Sequence, residues 1–403
     1  MQTDRHGVRR RTAVLGLGAA LWGTADFAAG QVTADRAGDA PGAGRLWRVG
    51  PGRDLTRPSQ AARVATDGDT VEVDAGFYPG DAAVWTQQRL TLRAMGGRVR
   101  LLAAGAAAEG KAIWVMRGGR FEVQGFDFEG ARVPGRNGAG IRFEAGHLAV
   151  RGCRFIDNEM GLLTSNQGDA VLSVESCEFA HNQRPDGHNH NLYVGAIARF
   201  TLTGSWLHHA SVGHLLKSRA AVNHVLYNRL TDEPGGRASY ELEFPNGGVA
   251  VVVGNLVQQG PATENAAMVA YGMEGWRWPR NELLLVNNTL VDDLPQGGAF
   301  LRVAPGPVVM RLLNNVLVGG SGQFQLPAGA EVQGNAVLAR STFVDADAFD
   351  YRPQRGTRWA ALPVDPGPFD DVSLRATHQY VHPLGLQALP PKRNHPGAFA
   401  PAR

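Results

Sequence analysis

Residues 287–290 read NNTL, and residues 314–317, 27 positions later, read NNVL. The same four-residue pattern recurs as GFDF at 125, GCRF at 152, SCEF at 176, GSWL at 204, YNRL at 227, GNLV at 254 and GNAV at 334. Its second residues are Phe126, Cys153, Cys177, Ser205, Asn228, Asn255, Asn288, Asn315 and Asn335, at intervals of 20 to 33 residues. Two places later an apolar residue stands every time, from Phe128 and Phe155 through Leu317 and Val337. Apolar residues at period two mark strands, and a repeat in the twenties marks one coil of a solenoid. Coils about 4.8 Å apart stack equivalent residues in columns. A column of asparagines suits such a coil, because amides hydrogen-bond up and down the stack. The expected fold is therefore all-β, with Asn228, Asn255, Asn288, Asn315 and Asn335 in one column.

The repeat resembles the right-handed parallel β-helix of pectate-lyase-like proteins over roughly residues 45–345. The segment PSQAARVATDGDTVEVDAGFY fits this resemblance as a short N-terminal cap helix near residues 58–65 followed by a first coil. A cap is expected because an open sheet edge invites aggregation. The Pro-rich stretch over 346–403 reads as a C-terminal tail packing on the β-helix, and no second domain is visible. Cys153 and Cys177 fall at equivalent places in successive coils, within disulfide range. The reading preferred for them is two small apolar residues in a core column.

Residues 1–30 read as an export signal: Arg5, Arg9, Arg10 and Arg11 outweigh Asp4 and Asp26 ahead of an apolar run over 12–22. That run is too short to span a bilayer, and the consecutive arginines mark the twin-arginine route. A periplasmic or secreted protein is expected. Of the net charge of +3, about two charges belong to this segment. The remainder is nearly neutral, which argues against nucleic acid as partner. No other stretch is apolar enough for a membrane span, and oligomeric state is not legible.

The chemistry concentrates in the middle coils. Of twelve histidines, seven lie between 181 and 224: His181, His188, His190, His208, His209, His214 and His224. Lysine is rare: among 40 Lys plus Arg only Lys111, Lys217 and Lys392 are lysines, and Lys217 stands among these histidines. Counting back from the ladder aligns Leu192, Leu215 and Leu242 as an inward column. Alternation then exposes Asn191, His214 and Glu241 in one column, and Tyr193, Leu216 and Glu243 in another. Lys217 and Arg219 fall on the turn that follows. The expected catalytic set is Lys217, His214, Tyr193 and Arg219. His190, Asn191, Glu241, Glu243 and Asn246 are expected to bind substrate. Tyr271, Glu274 and Trp276 join them from the longest gap between tetrads, since an insertion in one coil often forms a binding loop.

A lysine beside histidines suits elimination on a uronic acid polymer. The weakly acidic C5 proton is removed and the C4 oxygen expelled, so the sugar carboxylate must be neutralised. Arg219 and His214 stand where nearby positive charge lowers a lysine pKa, as a lysine base requires, and arginine is a poor substitute. In this reading Lys217 is the base and Tyr193 or His214 protonates the leaving oxygen. Asn191 and Arg219, or a calcium ion held by Asn191, Glu241 and Glu243, neutralise the carboxylate. Calcium is the one cofactor these residue types suggest; the histidine pairs lack zinc spacing.

The stretch LLKSRAAVNHVLYN resembles the "KS…N" segment of the chondroitinase B and alginate lyase family. The resemblance implies a lyase acting on an acidic polysaccharide, with Lys217 at the place of the base. It departs one coil later, where the family's assisting arginine is replaced by Glu243. The family's calcium carboxylates before the lysine are absent, and His214 stands there instead. Alternatives on the same fold are a glycoside hydrolase, a uronate epimerase, and a non-catalytic periplasmic protein that binds glycan or assists a metal centre. Inverting hydrolysis needs paired acids, and the site coils offer only Asp186 and Asp232. A copper-assembly role would call for Met- or Cys-rich runs, and none is visible.

Overall fold

The tetrad forms a ladder as its spacing requires. Asn228, Asn255, Asn288 and Asn315 each donate their backbone N–H and their Nδ2 to the Oδ1 of the next asparagine, at 2.8–3.0 Å, ending at Asn335. The column continues through earlier coils with other acceptors. Ser205 N–H donates to Asn228 Oδ1, Cys177 N–H to Ser205 Oγ, and Cys153 N–H to Cys177 Sγ. Both cysteines are buried free thiols, as the core-column reading requires.

The residue before each ladder position, from Gly125 and Gly152 to Asn314 and Gly334, has φ between 50 and 82°. Only glycine adopts this left-handed region freely, and asparagine tolerates it. The Gly or Asn that opens most tetrads is therefore a backbone requirement. Two places after the ladder residue, Phe128, Phe155, Phe179, Leu207, Leu230, Val257, Leu290, Leu317 and Val337 are register partners in sequence. The first three stack ring on ring at 5.0 and 4.6 Å.

This computed structural model describes residues 44–184, 186–320, 326–370, 372–391 and 395–402. The expected export segment over 1–30 lies outside them. In the central coils each strand pairs in parallel with the strand three places along, so each coil has three strands and the solenoid three faces. The result is a right-handed parallel β-helix whose strands run from Leu46 to Leu338. Beside its first coils lies the helix Pro58–Val64, with Pro at its start and Ala61 buried.

The tail forms short antiparallel pairs, Phe343–Asp345 with Asp350–Pro353 and His378–Val381 with Gly385–Ala388. Its Phe343, Tyr351, Tyr380 and Phe399 bury against Leu256, Val291, Val316 and Val318 on one face. Its Leu374 and Leu389 cover Val249, Val251, Leu284 and Val286 on a second. The third face carries the polar groove.

Candidate active site

The groove lies on the face built from Leu192–Val194, Leu216–Ser218, Leu242–Phe244 and Ala267–Tyr271. Leu192, Leu216, Leu242 and Val269 are register partners and belong to the core. Their neighbours Tyr193, Lys217 and Glu243 partner one another and point the other way. Lys217 thus stands on a strand and not on the expected turn, and the expected pairing of Leu192 with Leu215 is one residue out. The cause is a turn of unequal length. Residues 219–221 connect Ser218 to Val222, whereas the flanking coils use 195–198 and 245–248.

Lys217 Nζ lies 2.6 Å from Glu274 Oε1 and 2.9 Å from Glu243 Oε2. Arg219 spreads its guanidinium over three partners. Nε donates to the Tyr193 hydroxyl at 2.8 Å, Nη1 to Asn246 Oδ1 at 2.6 Å and Nη2 to Glu274 Oε2 at 2.6 Å. Trp278 Nε1 donates to the Arg219 carbonyl at 3.1 Å, which pins the short turn.

Glu243 is buried and also meets His214 Nε2 at 2.8 Å. Burial raises its pKa, but the hydrogen bond from His214 and the charge of Lys217 outweigh that and hold it below the usual glutamate range. His214 is shifted down, chiefly by burial, against the opposing pull of Glu243. His190 stacks near Tyr193, ring centres 5.5 Å apart, and near His214 at 4.6 Å. Burial first, and then the charges of His214, Lys217 and Arg219, push its pKa well down. Its Nδ1 accepts the His214 backbone N–H at 3.0 Å, so its proton sits on Nε2. Beside these groups opens a cleft of about 390 Å³ lined by His188, His190, Val212, His214, Lys217, Ser239, Glu264 and Asn265. Val212, Ser239 and Asn265 carried no sequence signal; loops bring them in.

Several expected site residues lie elsewhere. Asn191 is fully buried, accepting from Asn182 and donating to the His208 carbonyl at 2.7 Å. It extends a second internal amide ladder from Asn158 and Asn182. Glu241 is also fully buried, and among the described residues neither of its carboxylate oxygens has a hydrogen-bond partner. Both residues precede their strands, at a corner where alternation no longer holds. Tyr271 is buried with its hydroxyl on the Gly248 carbonyl. Trp276 packs on Tyr271 at 5.4 Å and donates to the Pro305 carbonyl. Gly272, φ 78°, leaves the room that ring needs, since a Cβ there would meet it at 2.4 Å.

The calcium set therefore does not fit. Asn191 and Glu241 are enclosed in the wall, while Glu243 is taken by Lys217 and His214. Among the described residues no group of three or more His, Cys, Asp or Glu is placed to hold a metal ion. The histidines also divide. His208 stacks on Trp206 at 3.7 Å and His181 on His209 at 4.5 Å, apart from the His190–His214 pair of the groove. Asp186 is exposed and paired with Arg136 and Arg184, whereas Asp232 is fully buried, so the two form no acid pair.

No protein-family model and no curated protein matches this sequence. Among solved structures, pectate lyase Pel9A is similar, with a TM-score of 0.56 at 13% identity, covering 79% of this chain and 91% of that one. The chain has a pectate-lyase-like fold. None of the described helices is long and apolar enough to cross a membrane.

Proposed function

We propose that this chain is an exported polysaccharide lyase that cleaves a uronic-acid polymer by β-elimination. The observation that carries the reading is the set of Tyr193 and Lys217, register partners on one strand face, with Arg219 on the turn that follows and its guanidinium on the Tyr193 hydroxyl. The likeness of fold to a pectate lyase supports it, as does the arginine-led apolar segment at the N-terminus.

The geometry redistributes the roles. Lys217 is the cation of two ion pairs, and a base needs a lone pair, so Lys217 and Arg219 are assigned to the substrate carboxylate. Proton transfer falls to Tyr193, whose oxygen accepts from the Arg219 guanidinium at 2.8 Å. The Tyr193 phenolate takes the C5 proton and the electron pair flows into the carboxylate, held by the two cations. The C4–O bond then breaks, C4=C5 forms, and the new Tyr193 phenol returns the proton to the leaving oxygen. His190, neutral and carrying its proton on Nε2, lines the same cleft and is assigned to donate a hydrogen bond to a substrate oxygen. No step runs through a metal.

Tyr193→Phe tests the assignment. Removing a positioned base costs about a hundred- to ten-thousand-fold in kcat, with KM nearly unchanged, whereas Lys217→Ala raises KM as well. A Tyr193→Phe variant with parental kcat contradicts the role.

A further inference from the structure

Two carboxylates pair with Lys217 and Arg219, and they are not equivalent. Glu243 has 4% of its side chain exposed and is held by both His214 and Lys217. Glu274 has 43% of its side chain exposed and stands on a turn. Its two oxygens are divided, Oε1 to Lys217 and Oε2 to Arg219, each at 2.6 Å. A uronate carboxylate entering the groove would need those same two donors.

The turn itself is anchored. The Glu274 backbone N–H donates to the Pro245 carbonyl at 2.8 Å, and Asn246 Nδ2 donates to the carbonyls of Glu274 and Gly275. What is free to move is the side chain: Glu274 is the exposed member of both pairs, while the Lys217 and Arg219 side chains are only 11% and 19% exposed.

We propose that Glu274 occupies the subsite of the substrate carboxylate and is displaced by it, which makes Glu274 a specificity-determining residue for acidic glycans. The inference rests on the uronate reading above. An incoming carboxylate replaces like with like and keeps both cations paired. A neutral sugar offers only hydroxyls, so displacing Glu274 would leave Lys217 with Glu243 alone and Arg219 with no carboxylate. The resident acid thus yields to an acidic chain and not to a neutral one, whose hydroxyls cannot pair the guanidinium with or without Glu274.

The test is calorimetric titration of the full chain at low ionic strength with D-galacturonate, D-glucuronate and D-mannuronate, and with methyl β-D-glucoside as neutral control. Glu274→Gln keeps the size of the side chain and removes its charge. It is expected to bind at least one of the acids about tenfold or more tightly than the parent, with binding of the glucoside unchanged. Glu274→Asp, too short to reach both cations, should fall between the two. If the parent binds an acid and Glu274→Gln binds it equally or more weakly, Glu274 is a brace for Lys217 and Arg219. The inference is then overturned while the uronate reading stands. If neither protein binds any of the acids, the uronate reading falls and takes the inference with it.

Discussion

Lys217 and Glu243 are register partners in adjacent coils, and their charged ends meet at 2.9 Å on the outer side of the wall. Glu243 also serves His214, so one buried carboxylate ties two groove residues together. Removing one partner of a buried pair is costly because the other charge is left behind; Lys217 keeps Glu274, which moderates the effect. Glu243→Gln should therefore lose about 2 kcal/mol at pH 7 in urea unfolding. Because the folded state holds Glu243 ionised to lower pH than usual, its contribution is present above the ordinary glutamate range and is lost as pH falls. The difference between parent and variant should shrink below about pH 4. Equal stability at pH 7 would mean that the Lys217–Glu243 pair contributes nothing to folding.

Two residues earlier the sign reverses. Burial, reinforced by the charges of Asp232 and Asp292, holds the Glu241 pKa well above the usual range. A raised folded pKa gives stability that is present at low pH and lost as pH rises. Glu241→Gln removes that titration and should melt about 1–3 °C above the parent at pH 8, with the gap closing toward pH 5. A variant that melts lower at pH 8 would mean that a partner stabilises the ionised form.

The amide ladder allows an internal comparison. Asn255→Ala removes the acceptor of both Asn228 donors and leaves the Val225 carbonyl without its side-chain donor. At about 1–3 kcal/mol for each buried group left unmet, the loss should be about 3 kcal/mol or more. Asn335 is half-buried in the last coil, where water replaces the lost bonds, so Asn335→Ala should cost less than about 1 kcal/mol. Equal losses at the two positions would show that the ladder does not act through burial.

The ladder was legible because it repeats: Asn228 to Asn335, and the apolar column two places on, mark both coil length and inward face. The register of the groove was not, because it depends on a turn at 219–221 one residue shorter than its neighbours. Asn191 and Glu241 were turned outward by an alternation rule that ends where the strand does. The second ladder, Asn158–Asn182–Asn191, spans too few coils to stand out as a pattern. The contact of Glu274 with Lys217 joins residues 57 apart in sequence, through a loop that returns to the groove, and no local signal encodes it. Lys217, Tyr193, Arg219 and Asn246, picked for their residue types, nonetheless stand together in one groove even though the register was one residue out.

Elimination at Tyr193, Lys217 and Arg219, as proposed, would have a chemically distinct product. Only β-elimination creates a C4=C5 double bond conjugated to the uronate carboxylate, which absorbs in the ultraviolet. The purified protein is to be incubated with alginate, glucuronan, pectate and glycosaminoglycans while that absorbance is followed, alongside Lys217→Ala. Absorbance should rise on at least one polymer and be nearly abolished in the variant. Absence of unsaturated product from every polymer, or a Lys217→Ala rate equal to the parent's, would contradict elimination at these residues.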